Sequence, residues 1–124
     1  MLTEKFYDVL KNEGVVSIIS WGEAEPHVVN TWNSFLNVTS DERILIPAAG
    51  MRKTEKNVNI NNNIKMALGS KEVIGYNDYQ GTGFVIEGTA QYLDSGSDYD
   101  HMKEKFGFLT RVLEITVTSA KQML

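Results

Sequence analysis

Apolar and polar residues alternate along most of this chain, and the alternation predicts strands rather than helices. VVSIISW (15–21) is rich in β-branched residues and reads as a first strand. GEAEP (22–26) makes a turn into a second strand, HVVNTWNSFL (27–36). After the connection NVTSDE comes a third, RILIPAA (43–49), then IKMALGS (64–70) as the fourth. A loop through YNDYQG (76–81) leads to TGFVIEGTAQYL (82–93), where Phe84, Ile86, Gly88, Ala90 and Tyr92 share one face. RVLEITVTS (111–119) is the sixth strand, with Leu113, Ile115 and Val117 on one side. Helical spacing occurs in three places. Leu2, Phe6, Val9 and Leu10 share a face behind a Thr3 N-cap, and Gly14 ends that helix. A short helix is predicted from about Thr54 to Asn62, with Thr54 at its N-cap, and another over 97–106 with Ser97 as its cap. Six strands with helices confined to connections and ends predict a mainly β fold, a closed or partly closed antiparallel barrel. A parallel α/β sheet would need more intervening helices.

With 124 residues the chain forms one domain, 1–124, long enough to bury a core without staples. It has no cysteine, which excludes disulfides, thiolate metal sites and a cysteine nucleophile. Met1 to Leu10 carries Glu4, Lys5 and Asp8 and no apolar run follows, so no signal peptide is read and a cytoplasmic location is expected. No apolar run approaches the roughly 20 residues of a membrane helix. A net charge of −4 argues against phosphate-backbone binding, so no nucleic-acid partner is expected. One local basic pocket remains compatible with that balance.

Such a pocket is suggested by PAAGMRKTEKNV (47–58), where Arg52, Lys53 and Lys56 cluster. Pro47 cannot donate a ladder hydrogen bond, so its strand is expected to end or reach an edge there. Ala48, Ala49 and Gly50 expose backbone that a flat ligand can approach. Beyond them, free N–H groups at a helix start, with Lys53 for charge and Thr54 for a hydroxyl, suit a phosphate. An ordinary capped helix with solvated lysines is the alternative. NTWNS (30–34) puts several polar groups in an otherwise apolar strand. They suit a ligand with several donors and acceptors, unless Thr31 and Asn33 simply face solvent.

Taken in order and spacing, PHVVNTWNS, GMRKTEKNV and GTGF resemble the small bacterial FMN-binding proteins. These belong to the FMN-binding split-barrel flavoproteins, relatives of pyridoxamine 5'-phosphate oxidase. The resemblance runs from about Phe6 to Leu124 and implies a six-stranded split barrel that dimerises, with one FMN per subunit near the interface. It implies that Lys53 and Thr54 hold the phosphate, with Arg52 nearby and Asn57 close to the same end. Thr31, Trp32 and Asn33 would line the ribityl chain and ring, and Pro47, Ala48, Ala49, Gly50 and Met51 would run along the isoalloxazine. Ser70 would contribute from a strand end, and Gly81, Thr82 and Gly83 would approach the flavin. Phe106, Phe108 or Leu124 of the partner would cover it. Against the larger oxidases the chain is short, without the segments that would build a vitamin-phosphate pocket.

Other chemistry finds little support. His27 and His101 are the only histidines and have no partner at metal-ligand spacing, so no metal site is read. No G-x-S-x-G occurs, and no catalytic residue is assigned. Trp21 and Trp32 could form a stacking platform, but no basic stripe accompanies them. The function expected is a redox flavoprotein, either an electron carrier serving a redox protein partner or a flavin-dependent oxidoreductase. A pyridoxamine 5'-phosphate oxidase-like enzyme, or a non-redox dimeric barrel binding a phosphorylated ligand, stands as the alternative.

Overall fold

The computed structural model describes residues 1–124. In chain order the elements are α1 (Glu4–Leu10), β1 (Val15–Ser20), β2 (His27–Trp32), β3 (Asn37–Val38), β4 (Arg43–Ala48), α2 (Arg52–Ile60), β5 (Asn63–Ile74), β6 (Gln80–Leu93), α3 (Ser97–Lys105) and β7 (Arg111–Met123). The strands form one seven-stranded sheet in the order β2-β1-β5-β6-β7-β4-β3, each neighbouring pair antiparallel. No helix is long and apolar enough to cross a membrane.

The two edge strands, β2 and β3, are consecutive in the chain, joined only by a 3-10 turn at Asn33–Phe35 and by Leu36. Extended chain from Trp32 to Asn37 reaches at most roughly 18 Å. A flat sheet of seven strands would hold its edges roughly 29 Å apart, at about 4.8 Å per gap. The link is too short for a flat sheet. The sheet therefore curls, and one seam of the barrel is closed by the covalent chain instead of a hydrogen-bond ladder.

Inside the curl lie Val16, Ile18, Ile44, Ile46, Met66, Ile86, Leu113 and Ile115, all essentially inaccessible. Thr3 caps α1 as predicted, accepting from Phe6 N at 3.3 Å. Phe6 meets Phe84 edge-on at 5.4 Å between ring centres. A smaller cluster of Leu45, Met102, Leu109 and Val112 fixes α3 outside β4 and β7. Arg43 adds ion pairs to Asp98 of α3 and to Glu114 of β7.

Several predicted boundaries shift, each for a local reason. The second strand stops at Trp32 because residues 33–35 turn, and β3 is an unpredicted seventh strand. β5 runs on to Ile74 past an irregularity at Ser70. β7 runs to Met123, beyond the predicted end at 119, paired with β6 past Thr118, an extra residue opposite Glu87 and Gly88. That bulge inverts the alternation and hides the strand's last third from a period-two reading. It also requires Gly88, where a Cβ would stand 2.3 Å from the Thr116 carbonyl oxygen. α2 starts at Arg52 with Met51 as N-cap, so Thr54 lies in the first turn and is not the cap. α3 is capped by Gly96 at φ +101°, which makes Ser97 its first helical residue.

Asn33 has structural partners of its own within the chain. Its side chain is fully buried, and Nδ2 donates to the carbonyls of Asn12 at 2.8 Å, Gly69 at 3.0 Å and Val9 at 3.4 Å. All three neighbours are acceptors, which places the amide nitrogen there on chemical grounds. Asn33 bolts the 3-10 turn to the end of α1 and to β5, so its donors are not free for a ligand. Gly14 permits this approach, since a Cβ there would stand 2.9 Å from Asn33 Nδ2. Asn33→Ala should lower unfolding free energy by about 2–3 kcal/mol, because buried carbonyls lose their donor. Asn33→Asp should lower it further at neutral pH by setting a carboxylate against those carbonyls. Urea unfolding checks both, and an aspartate variant as stable as the alanine variant would contradict this role.

Candidate functional site

The predicted phosphate and ring residues meet where β4 leaves the sheet. β3 pairs Asn37 with Leu45 and Val38 with Ile44, and continuing that register sets Phe35 level with Pro47. Pro47 has no N–H to extend the ladder, which explains why β3 is only two residues long. On its other side Pro47 still pairs with Val112, so β4 reaches Ala48 before the chain turns outward. Ala48 is buried, and Ala49 and Gly50 are exposed. Met51 adopts φ +60°, and α2 follows without a side-chain cap.

No backbone N–H from Ala49 to Thr54 has an acceptor within the chain. The first satisfied one is Glu55 N, which donates to Met51 O at 2.9 Å. Uncapped helix starts leave such donors unpaired, and the helix dipole adds positive potential there. Arg52 and Lys53 are both exposed at this start. Arg52 pairs with Glu55 at 3.2 Å, while Lys53 has no ion pair. Thr54 is fully buried and its Oγ1 has no hydrogen-bond partner. Lys53, Lys56 and Asn57 face Glu23 and Glu25 of the β1–β2 turn across a cleft of about 150 Å³.

Arg111, at the start of β7, was not anticipated from the sequence. It is 6% exposed. Its Nη1 donates to Ala49 O at 3.2 Å and to Thr110 Oγ1 at 3.0 Å, and its Nη2 to Gly50 O at 2.6 Å. Nε donates to Glu55 Oε1 at 2.9 Å, and the guanidinium lies 5.0 Å from the centre of the Tyr92 ring. A cation heading a predicted strand was the one signal available. Its partners are backbone carbonyls more than sixty residues away, which no local pattern encodes.

The other predicted residues divide into two groups. Thr31 is buried on the inner face of β2, and Trp32 is 46% exposed on the outer one. Asn57 donates to Ser20 Oγ at 3.1 Å and so ties α2 to the end of β1. Ser20 pairs with Ile64, whereas Ser70 lies six residues further along β5, roughly 20 Å away. Ser70 instead shares a cleft of about 230 Å³ with Gly81, Thr82 and Leu124. Within one protomer, Ser70 does not join Lys53. Phe35, Phe106 and Phe108 form a three-ring cluster with centres 5.2–6.1 Å apart, near Pro47 in register. Phe108 is 53% exposed. A larger cleft of about 630 Å³ lies against α2 and β6, lined by Glu55, Asn59, Asn61, Asn62, Gln91 and Tyr92. No cation lines it, so it suits a phosphate poorly.

A family model described as pyridoxamine 5'-phosphate oxidase matches residues 2–123. The chain belongs to the pyridoxamine 5'-phosphate oxidase family. It is 47% identical over 124 residues, the whole of both chains, to a protein of Nitratidesulfovibrio vulgaris (strain Miyazaki F) named FMN-binding protein. Among solved structures, HupZ of Group A Streptococcus superposes with a TM-score of 0.80 at 18% identity, covering 99% of this chain and 94% of that one. An FMN-binding protein from Syntrophomonas wolfei gives a TM-score of 0.71 at 15% identity, covering 88% and 76%. These two likenesses bear on the fold alone, and they agree with the split barrel described above.

Tyr92 supplies a check on this end of the family barrel. Burial pushes its hydroxyl up to about 12, with Arg111 acting in the opposite direction and Glu55 in the same one. A raised folded value means that stability is complete below the unfolded value of about 10 and is lost as pH rises towards 12. Thermal melts between pH 9 and 12 should therefore fall less steeply for Tyr92→Phe than for the parent. Parallel curves would contradict a buried, neutral Tyr92.

Proposed function

We propose that this protein binds FMN, with the phosphate on the start of α2 and the ring along Pro47–Met51, and that it works as a redox flavoprotein. The observation that carries this reading is the unbroken run of unpartnered N–H groups from Ala49 to Thr54. Unpaired amides at a positive helix end favour an anion. The residues present fit the group. Lys53 offers an unpaired ammonium, and Thr54 Oγ1 lacks a partner despite its burial. The name of the Nitratidesulfovibrio relative, FMN-binding protein, supports the same ligand.

In this reading Lys53 and the N–H groups of Arg52, Lys53 and Thr54 hold the phosphate, with Arg52 as a second cation. The end of β2, at Thr31 and Trp32, runs along the ribityl chain, and Asn57 orients the helix through Ser20. Asn33 fixes the turn after β2 through Nδ2, and its buried Oδ1, which has no partner in the chain, is left to accept from the ligand. Ala49 and Gly50 let a planar ring approach the backbone, and Phe35 and Phe106 limit water on the Pro47 side. FMN, when bound, supplies hydride or single-electron chemistry, and the protein supplies binding and orientation. Val15 and Trp32 pair across β1 and β2 with both side chains exposed, and Val28 is exposed further along the same face beyond the Ser17–Asn30 pair. This partly apolar face suits a homodimer with FMN near the interface, and a redox protein is the expected electron partner.

Lys53→Ala should weaken FMN on the order of 10- to 100-fold and leave riboflavin almost unchanged, since only FMN carries a phosphate. Fluorescence titration of both flavins checks this, and equal losses would remove Lys53 from the phosphate. Light scattering should give twice the chain mass for the flavin-bound protein. A monomer with full FMN affinity would contradict an interface site. A protein that binds inorganic phosphate but no flavin would favour the non-redox alternative.

A further inference from the structure

We propose that Arg111 is the positioning residue of the flavin site, turning the backbone of residues 49–51 so that its N–H groups face the ring. The inference rests on the FMN reading above and adds a residue to it. A trans peptide unit points its C=O and its N–H in opposite directions. Arg111 takes the carbonyl oxygens of Ala49 and Gly50, so the N–H groups of Gly50 and Met51 point away from the guanidinium. Neither of those N–H groups has an acceptor in the chain.

The guanidinium is itself fixed on three sides. Glu55 Oε1 holds Nε, Thr110 Oγ1 receives Nη1, and the Tyr92 ring lies under the plane. A carboxylate, two consecutive carbonyls and a ring face together match a rigid planar fork, not an ammonium. Glu55 also accepts from Arg52, which ties the fork to the start of α2. One buried side chain thus sets the backbone that meets the ring and braces the helix that meets the phosphate. Reduced flavin is more electron-rich than oxidised flavin, so preorganised donors favour it and raise the potential of the bound cofactor.

Arg111→Lys and Arg111→Met should weaken FMN and riboflavin together, by about tenfold or more each, because the ring is common to both. The ratio of the two affinities should stay within about twofold of the parent, unlike the Lys53 variant. The midpoint potential of bound FMN should fall, by about 30 mV for each tenfold loss of preference for the reduced form. A loss confined to FMN, an unchanged riboflavin affinity, or an unchanged potential would overturn the proposal. A measurement on the parent needs no variant to fold. By amide hydrogen exchange, Gly50 and Met51 should exchange rapidly in the free protein and become protected by riboflavin. Continued rapid exchange in saturating riboflavin would overturn the positioning role. A parent that binds neither flavin would remove the FMN reading itself, and this inference with it. A parent that binds both, with variants behaving likewise, would remove Arg111 alone.

Discussion

The short crossing from Trp32 to Asn37 governs this molecule. Because β2 and β3 occupy opposite edges of one sheet, a link this short is satisfied only if the sheet curls until the edges approach. That curl brings the polar end of β2 towards the outward turn of β4. Asn33 holds the crossing in place with its own side chain, and Pro47 keeps β3 from zipping onward along β4. The space left by that missing ladder is where bare backbone, aromatic rings and an uncapped helix start are found together. The seam in the barrel and the candidate site have one origin.

The electrostatic character of the site comes mainly from the backbone. The chain is acidic overall, and its exposed cations near α2 face glutamates of the β1–β2 turn. What distinguishes the segment from ordinary surface is that its carbonyls and its amides have been separated. Arg111 and Thr110 take the carbonyls of Ala48, Ala49 and Gly50, leaving amides on the other side without partners. Carbonyls on one side are paired and donors on the other are left open, a division that suits an electron-rich ligand.

Much of this was legible in the residues. The two-residue rhythm marked the strands, since an antiparallel barrel buries one face of each strand and wets the other. The cluster at Arg52 and Lys53 marked the helix start, because cations beside small residues are locally unusual. What stayed hidden depended on contacts distant in sequence. β3 is too short to carry a rhythm, and Thr118 inverts the one in β7. Asn33 reads as a polar residue awaiting a ligand, yet its partners are carbonyls of residues 9, 12 and 69. Thr54 looks like a cap, but the cap is the left-handed Met51, three residues earlier. Arg111 is only the first residue of a predicted strand in the sequence, and the fold reveals it as buried.

In the proposed reading, a phosphorylated flavin takes the open amides between Ala49 and Thr54. The decisive measurement is a crystal structure of the protein grown with excess FMN. Phosphate oxygens are expected within hydrogen-bond distance of the Lys53 and Thr54 amides, with the ring lying against Ala49 and Gly50. A phosphate bound instead in the amide-lined cleft between α2 and β6, with the 49–54 amides facing only water, would contradict it.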